Sequence, residues 1–283
     1  MPRNVISFMN MKGGVGKTTI CVNIAGQLAT MNKSVLIIDM DPQMNASQYL
    51  LNPSKLEELI TNKKTIYNLY RENLEQDIYS MVGSEIEVEN EFKPIIQNIR
   101  PNLDLICGDL NMTKVKDVDG AVPDILASFI EDERLKERYQ FIFIDCPPTQ
   151  SIYTTSAFKA SDFYLIVIKP DYLSTIGLSL FNNIIKNYNS RRKQPKKLHS
   201  LGIIANLTQK NNDGYYENKI NEIREKFKFY NVFESSITNT SAIAKASENQ
   251  KLMCETNRCK TPIKRLTNEF IKTYEKEVAV NDK

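Results

Sequence analysis

The sequence has no long hydrophobic run. No apolar stretch approaches the roughly 20 residues that a helix needs to cross a bilayer. The apolar stretch that follows residues 1–4 is only a few residues long, which is too short for the core of a signal peptide. We therefore expect a cytoplasmic protein and no membrane partner.

The sequence also lacks paired cysteines, internal repeats and low-complexity linkers. The five cysteines are odd in number and scattered, and none forms a C-x-x-C pair, which argues against a disulfide framework and a zinc site. We expect reduced, mostly buried thiols. The 283 residues, of which 41% are hydrophobic, could bury one large core or two modest ones, and we expect residues 1–283 to form a single domain.

Positive charge is scarce in the first two thirds of the chain and concentrated in the last third. Residues 1–185 carry 17 Lys and Arg against 23 Asp and Glu, whereas residues 186–283 carry 20 against 11. The two parts have net charges of −6 and +9, which together give the overall +3. A basic region on an otherwise acidic protein is expected of polyanion binding, although solvated helix faces would explain the charge equally well.

Short apolar runs alternate with stretches of helical periodicity along the chain. The predicted buried strands are Val5–Met9, Val35–Ile38, Leu103–Cys107, Phe141–Ile144, Phe163–Ile168 and Leu201–Ala205. The predicted helices are Thr18–Met31, Pro123–Arg138, Ser174–Tyr188, Gly214–Phe227, Ser241–Gln250 and Pro262–Val278. This alternation predicts an α/β fold with a mostly parallel twisted sheet and helices on both faces. Residues 52–100 are polar and acidic, and we predict that they form an insertion of short helices over the sheet edge.

A glycine-rich segment lies between the first predicted strand and the first predicted helix, which is the context of a phosphate-binding loop. Glycines let the backbone turn tightly and aim its N–H groups inward, and the helix N-terminus adds positive potential. Lys17 is placed to reach the β- and γ-phosphates, and the Thr18 hydroxyl to ligate Mg²⁺. The predicted nucleotide-binding residues of the loop are Gly13, Gly14, Val15, Gly16, Lys17, Thr18 and Thr19.

The loop departs from the usual pattern G-x-x-x-x-G-K-[ST], because Met11 replaces its first glycine and Lys12 follows. A second lysine five residues before Lys17 resembles the deviant Walker A loop of the ParA/MinD-type P-loop ATPases. The resemblance implies ATP and Mg²⁺ as cofactors. It also implies an ATP-dependent homodimer, in which Lys12 reaches across the interface to the partner's nucleotide. The resemblance extends to about Gln250 and is weaker beyond that residue.

Two acidic motifs follow two of the predicted strands. Asp39 and Asp41 come after the second strand, and Asp145 comes after the fourth. Carboxylates at the carboxyl ends of neighbouring parallel strands converge on the crevice where α/β folds bind ligands. Phosphoryl transfer needs one such group for the Mg²⁺ hydration shell and another to orient the attacking water. By resemblance, Asp41 orients the water, Asp145 is the Walker B acid and Asp39 is an accessory to the metal shell.

Two further segments are similar to parts of the family. Gly202–Asn206 resembles the strand end where the family binds adenine, so Asn206 is the candidate for the base, with a turn-forming role as the alternative. Lys169–Asp171 and the residues after it resemble the segment that follows the family's fifth strand. We expect this segment to lie near the dimer face.

Within the family, the chain resembles the ParA branch, whose ATP-bound dimers bind DNA without sequence preference. These dimers are released when a ParB-like centromere-binding protein stimulates slow hydrolysis. The resemblance implies a nucleoid-associated role in segregating plasmid or chromosomal DNA. Because the phosphate loop begins at residue 12, we expect no N-terminal helix-turn-helix domain and no operator binding.

Non-specific DNA binding is mostly phosphate neutralisation and needs no base-reading motif. The candidate DNA-contacting residues are Arg191, Arg192, Lys210 and Lys245. The region Ile237–Ala246 departs from the family, because it lacks the usual Ile-Pro and the arginines that follow. A basic surface is therefore better predicted than its individual contacts.

Two alternative functions remain open. A MinD-like positioning ATPase would bind membrane through a C-terminal amphipathic helix, and an apolar stripe at helical spacing runs from Ile263 to Val278. Acidic residues accompany the basic ones there, which favours a last helix packed on the sheet. A metabolic relative that couples ATP to reduction would need paired cluster cysteines, and Cys107 and Cys146 have no glycine-rich setting for that role.

Overall fold

The computed structural model describes residues 2–71, 95–116, 120–193, 197–208 and 214–281. The strands in these ranges are β1 (Val5–Met9), β2 (Val35–Asp39), β3 (Ile96–Arg100), β4 (Leu103–Ile106), β5 (Phe141–Asp145), β6 (Phe163–Ile168), β7 (His199–Thr208) and β8 (Ile237–Thr238). They form one sheet in the order β3-β4-β2-β5-β1-β6-β7-β8. β3 is antiparallel to β4, and the other neighbouring strands are parallel.

The helices of the described ranges connect these strands. They are α1 (Lys17–Thr30), α2 (Asn45–Leu50), α3 (Pro53–Thr61), α4 (Ile125–Asp132), α5 (Leu135–Arg138), α6 (Ile152–Ala160), α7 (Tyr172–Ser190), α8 (Tyr215–Lys226), α9 (Ser241–Glu248) and α10 (Lys260–Asn281). Helices that connect parallel strands must cross the faces of the sheet, so each face is covered.

The central strands are buried on both faces. Every residue of β1, β2 and β5 is buried. Successive side chains point to opposite faces, so Val5 belongs to one hydrophobic cluster with residues of α4, α6 and α7, whereas Ile6 belongs to another with residues of α1 and α10. This arrangement confirms the predicted α/β fold with a mostly parallel sheet.

Several helical or strand elements differ from the prediction, and the short helix α2 is one that was not predicted. The single helix predicted over Pro123–Arg138 is divided into a short 3-10 turn, α4 and α5, because Arg134 adopts a left-handed φ of 49°. Helix α6 was not predicted, since Thr154 and Ser156 on its buried side hide the apolar period. Strand β8 was also missed, because its two residues are too short to show any period.

Residues 52–100 contain more than the short helices that the sequence predicted. Helix α3 is present, with the Asn52 side chain capping it by accepting from Lys55 N, and residues 66–71 are helical. The end of this segment forms the edge strand β3. The acidic part around Glu85–Glu91 lies outside the described residues.

The C-terminal helix α10 packs on the sheet through its predicted apolar stripe. Ile263, Leu266 and Phe270 are fully buried. The Phe141 ring centroid on β5 lies 5.7 Å from that of Phe270 and 5.0 Å from that of Tyr274. The expectation of a packed last helix is therefore confirmed. Across the described ranges, no helix combines the length and the apolar character needed to cross a bilayer.

Candidate functional site

The glycine-rich loop joins β1 to α1 and faces a cavity of about 400 Å³. Gly14 and Gly16 have φ values of 74° and 79°, a region that glycine adopts without a steric cost. No side chain caps the first turn of α1, which leaves its N–H groups available to an anion. The lining residues are Lys12, Gly13, Gly14, Val15, Gly16, Lys17, Thr18, Thr19, Asp41, Gln43, Asn45, Tyr49 and Pro148. The structure therefore brings Lys12, Asp41 and the whole predicted loop to one cavity.

Lys17 and Thr18 both contact Asp145. Lys17 Nζ lies 2.5 Å from Asp145 Oδ1, and Thr18 Oγ1 donates to Asp145 Oδ2 over 2.7 Å. Burial by itself would lower the pKa of Lys17, but the neighbouring Asp145 carboxylate outweighs burial and raises that pKa. Lys17 is therefore held as a buried cation, which is the form that binds phosphate oxygens.

Asp39 is next to Asp145 at the ends of β2 and β5, but its carboxylate faces α2. Asp39 Oδ2 accepts hydrogen bonds from Ser47 N over 2.8 Å and from Ser47 Oγ over 2.7 Å. Burial and the charge of Asp145 raise the pKa of Asp39 to about 7, against the opposing effect of the Ser47 bonds. Asp39 is not one of the described residues that line the cavity. It anchors α2 beside the cavity, and the predicted accessory role toward a metal remains a hypothesis.

Asp41 is the one acidic side chain among the described residues that line the cavity. Its Oδ1 accepts from Gln43 N over 2.9 Å, which orders the turn between β2 and α2. Asn45 Nδ2 lies 3.5 Å from Asp41 Oδ2. Asp41 therefore presents a carboxylate beside the phosphate loop, where a water molecule can be oriented.

The Lys12 side chain contacts the start of α7. Lys12 Nζ lies 2.6 Å from Asp171 Oδ2, and the two side chains are 34% and 24% exposed. Asp171 Oδ1 also accepts from Ser174 N over 2.9 Å and so caps α7. Burial would raise the pKa of Asp171, but the hydrogen bonds from Lys12 and Ser174 outweigh it and lower that pKa. The segment expected near a dimer face is thus bonded to the phosphate loop.

The first half of α7 carries an exposed apolar stripe. Tyr172, Leu173, Ile176 and Leu180 are 69%, 57%, 47% and 57% exposed. Their spacing places them on one side of the helix, starting next to Asp171. Large exposed apolar side chains that share one side of a helix are typical of an interaction surface.

Asn206 packs directly against the phosphate loop. Its Nδ2 donates to Val15 O over 2.8 Å, and its Oδ1 is buried without a hydrogen-bond partner among the described residues. A Cβ atom at position 16 would lie 2.2 Å from Asn206 Nδ2, so only glycine fits there. Since buried polar atoms are normally satisfied, the Asn206 oxygen is suited to accept from a bound ligand.

Tyr49 belongs to the cavity, although sequence reasoning missed it. Its hydroxyl lies 3.0 Å from Asn23 Nδ2 on α1. Asn23 Oδ1 in turn accepts from Met253 N over 2.6 Å. These three residues come from distant parts of the chain, so no local motif could have indicated them.

The candidate DNA-contacting residues do not lie together. Arg191 and Arg192 follow the end of α7, at the sheet edge where the parallel strands begin. Lys245 is exposed on α9, which starts shortly after β8 and therefore near the edge where the parallel strands end. Lys210 lies outside the described residues.

The chain is similar to known proteins in sequence and in fold. Residues 3–199 match the family model described as an AAA domain. The chain is 30% identical to the sporulation initiation inhibitor protein Soj of Bacillus subtilis over 64% of either chain. It is 28% identical to the chromosome partitioning protein ParA of Myxococcus xanthus, over 64% of this chain and 57% of that protein. A putative plasmid partition protein from Borrelia burgdorferi bound to AMPPNP shares the fold, with a TM-score of 0.71, 24% identity, and coverage of 98% of this chain and 100% of that chain.

Proposed function

Because the chain belongs to the AAA domain family, and within it to the ParA/MinD-type P-loop ATPases, we propose that it is a DNA-partition ATPase. In this proposal the protein binds ATP and Mg²⁺, forms a homodimer and binds DNA without sequence preference. Slow hydrolysis, stimulated by a ParB-like centromere-binding protein, then releases the dimer from DNA. The cycle would drive the segregation of plasmid or chromosomal DNA.

The residues of the cavity fit a magnesium nucleotide. The glycine backbone and Lys17 would hold the phosphates, Thr18 and Asp145 the Mg²⁺ shell, and Asn206 the base. Support comes from the bond between Thr18 and Asp145, and from the buried, unpaired Asn206 oxygen. Bound Mg²⁺ would supply charge stabilisation for phosphoryl transfer.

Asp41 is proposed to orient the attacking water. Asp41 lines the cavity, with its carboxylate bonded only to Gln43 and Asn45 of the adjoining turn among the described residues. The Asp39 carboxylate is instead bonded to Ser47, and that of Asp145 to Lys17 and Thr18. This division of contacts supports one residue for hydrolysis and another for the metal shell. Asp39 would act on the metal site through its position beside Asp145.

The observation that carries the proposal is the position of Lys12. This lysine belongs to the phosphate loop, yet its ammonium group is bonded to the head of α7, next to the exposed stripe that begins at Tyr172. A second copy of the chain that covered this stripe would lie within reach of Lys12. That arrangement supports an ATP-dependent homodimer in which Lys12 contacts the partner's nucleotide.

DNA binding by the dimer is supported by the charge of the C-terminal third. Its net charge is +9, and Lys245 and Arg191 are exposed. Because Lys245 lies near one edge of the sheet and Arg191 near the other, one patch does not contain both. We propose Lys245 as the first candidate, with Arg191 and Arg192 to be tested separately, and Lys210 as a further candidate.

The decisive experiment measures the fluorescence anisotropy of a labelled non-specific DNA duplex with ATP, with ADP and without nucleotide. We expect binding with ATP only, and we expect Lys17→Ala to abolish it. Sedimentation with anionic liposomes in the same conditions tests the MinD-like alternative. ATP-dependent sedimentation with vesicles and no DNA binding would overturn the partition function.

A further inference from the structure

Helices α6 and α7 enclose a groove on the face of the sheet opposite α1. Both helices start at the edge that carries the phosphate loop and run side by side toward the other edge. The groove has a volume of about 930 Å³, which is within the range of ligand-binding cavities. Among the described residues, it shares no lining residue with the cavity at the phosphate loop.

The end of the groove beside the C-terminus of α7 is positively charged. Arg191, Arg192 and Lys193 line it consecutively and form what we call the basic rim. Lys159 lines the opposite wall and pairs with Asp124 over 2.7 Å. No acidic side chain is found among the described residues of the lining. Charge complementarity therefore favours an anionic occupant.

The floor of the groove is apolar and consists of Phe158, Ile184 and Tyr188. The Phe158 and Tyr188 ring centroids are 5.2 Å apart, and the Arg192 guanidinium lies 4.1 Å from the Tyr188 centroid. The Tyr188 side chain is half-buried, and burial raises its pKa to about 12. Aromatic side chains and arginine in a partly desolvated pocket are the residue types that dominate binding energy at protein interfaces.

We propose that this groove docks an acidic amphipathic segment of a partner protein, with apolar side chains on the floor and carboxylates at the basic rim. The two features together favour a protein segment over DNA. A duplex exposes phosphates along its outside and has no apolar side chain to insert, so it would contact the rim and leave the floor uncovered. An amphipathic helix bound in the groove would contact both the apolar floor and the basic rim.

Both walls of the groove begin at the nucleotide site. Helix α7 starts at Asp171, which pairs with Lys12, and α6 starts shortly after Asp145, which pairs with Lys17. A partner that shifts either helix would therefore act on the phosphate loop, and docking would change ATP turnover. This coupling rests on the proposed ATPase function, whereas the docking itself does not.

The binding test uses the full chain and a fluorescein-labelled peptide of about 16 residues, roughly four helical turns. The peptide has glutamates on one face and leucines with one tryptophan on the other. One matched peptide has lysines in place of the glutamates, and another has serines in place of the apolar residues. We expect the acidic amphipathic peptide to bind about tenfold more tightly than either control. Equal binding of the serine peptide, or no binding of any peptide, would overturn the proposal.

Variants of α7 locate the binding site. Asn187→Glu puts a carboxylate into the groove and should weaken the peptide about tenfold. Asn183→Glu, exposed on the same helix outside the groove, is the matched control and should have no effect. Ile184→Ser should weaken the peptide but not a labelled DNA duplex. If Ile184→Ser changes neither ligand while Arg191→Glu weakens only the duplex, the rim serves DNA and the proposal is wrong.

Folding is checked for each variant by thermal unfolding. Because Asn187 is exposed, Asn187→Glu keeps the test decisive even if Ile184→Ser fails to fold. Phosphate release is then measured with and without saturating peptide. Binding without a change in turnover would refute the coupling but not the docking. A protein that binds peptide but never hydrolyses ATP, with or without DNA, would contradict the proposed function instead.

Discussion

Lys12 and Asp171 form an ion pair of 2.6 Å that joins the phosphate loop to the head of α7, across 159 positions of the chain. Asp171 caps the helix with its other carboxylate oxygen, which accepts from Ser174 N. A dimer in which Lys12 reached a partner's nucleotide would have to break this pair. In the proposed dimer, another anion would therefore have to replace Asp171 as the partner of Lys12.

The first prediction concerns this pair. Lys12→Ala should abolish ATP-driven dimerisation, measured by light scattering, because the cross-interface cation is lost. Asp171→Asn keeps a side-chain cap for α7 but removes the ion pair with Lys12. This variant should lower the ATP concentration needed for half-maximal dimerisation about threefold, because a partly exposed ion pair contributes little free energy. If Lys12→Ala dimerised normally, the deviant-loop assignment would be wrong.

The second prediction concerns the buried pair of Lys17 and Asp145. Lys17→Ala should abolish binding of a fluorescent ATP analogue and reduce the free energy of unfolding by about 3 kcal/mol, because it leaves the Asp145 carboxylate buried and unpaired. Urea denaturation measures the stability. Thr18→Ala is the control, since it removes one hydrogen bond to Asp145 and keeps the ion pair, so its loss of stability should be clearly smaller.

The third prediction concerns Asp41. Asp41→Ala should leave ATP binding intact and slow phosphate release by roughly 100-fold, as expected when a residue that positions the attacking water is removed. The ATP-bound dimer should then remain on DNA in an anisotropy assay. Hydrolysis at the normal rate in this variant would show that another residue orients the attacking water.

The fourth prediction concerns the ionic strength dependence of DNA binding. The affinity should fall steeply with salt, because neutralised phosphates release counterions. Replacing one phosphate-contacting lysine should reduce the slope of log affinity against log salt by about 1. Lys245→Ala tests this expectation. Lys55 lies on the acidic N-terminal part with its side chain 42% exposed, and it supplies Lys55→Ala as a control. A flat salt dependence would contradict binding through the basic surface.

The fifth prediction concerns His199, the single histidine of the sequence. Burial, and then the nearby charges of Arg3 and Lys197, lower its pKa below the usual value, so its NMR titration midpoint should lie below about 6.5. The unfolded chain then binds the proton more tightly, and the free energy of unfolding should fall as pH decreases through about 6.5.

His199→Gln separates this effect from the other titrating groups. Asp39 acts in the opposite direction, because its raised pKa of about 7 makes stability fall as pH rises from about 4 toward 7. The difference in unfolding free energy between the parent protein and His199→Gln cancels the Asp39 contribution. A difference that did not change with pH would show that His199 titrates normally.

Much of the central architecture followed from local patterns. The buried apolar runs predicted β1, β2, β4, β5, β6 and β7 to within a few residues. A strand covered on both faces must be apolar along its length. The edge strand β3 escaped prediction because the polar residues Gln97, which is half-buried, and Asn98, which is exposed, interrupt its apolar pattern. The break at Arg134 was missed because a left-handed residue other than glycine leaves little trace in the sequence.

The sequence by itself determined that a phosphate loop with Lys12 and Lys17 would meet Asp41 and Asp145. A glycine loop between a strand and a helix, and carboxylates at the ends of parallel strands, have only one edge of the sheet on which to lie. Only the tertiary structure decided that Lys12 pairs with Asp171 and that Asp39 turns to Ser47. It also formed the groove between α6 and α7. These features depend on rotamers and on the packing of elements far apart in the chain, which local periodicity does not record.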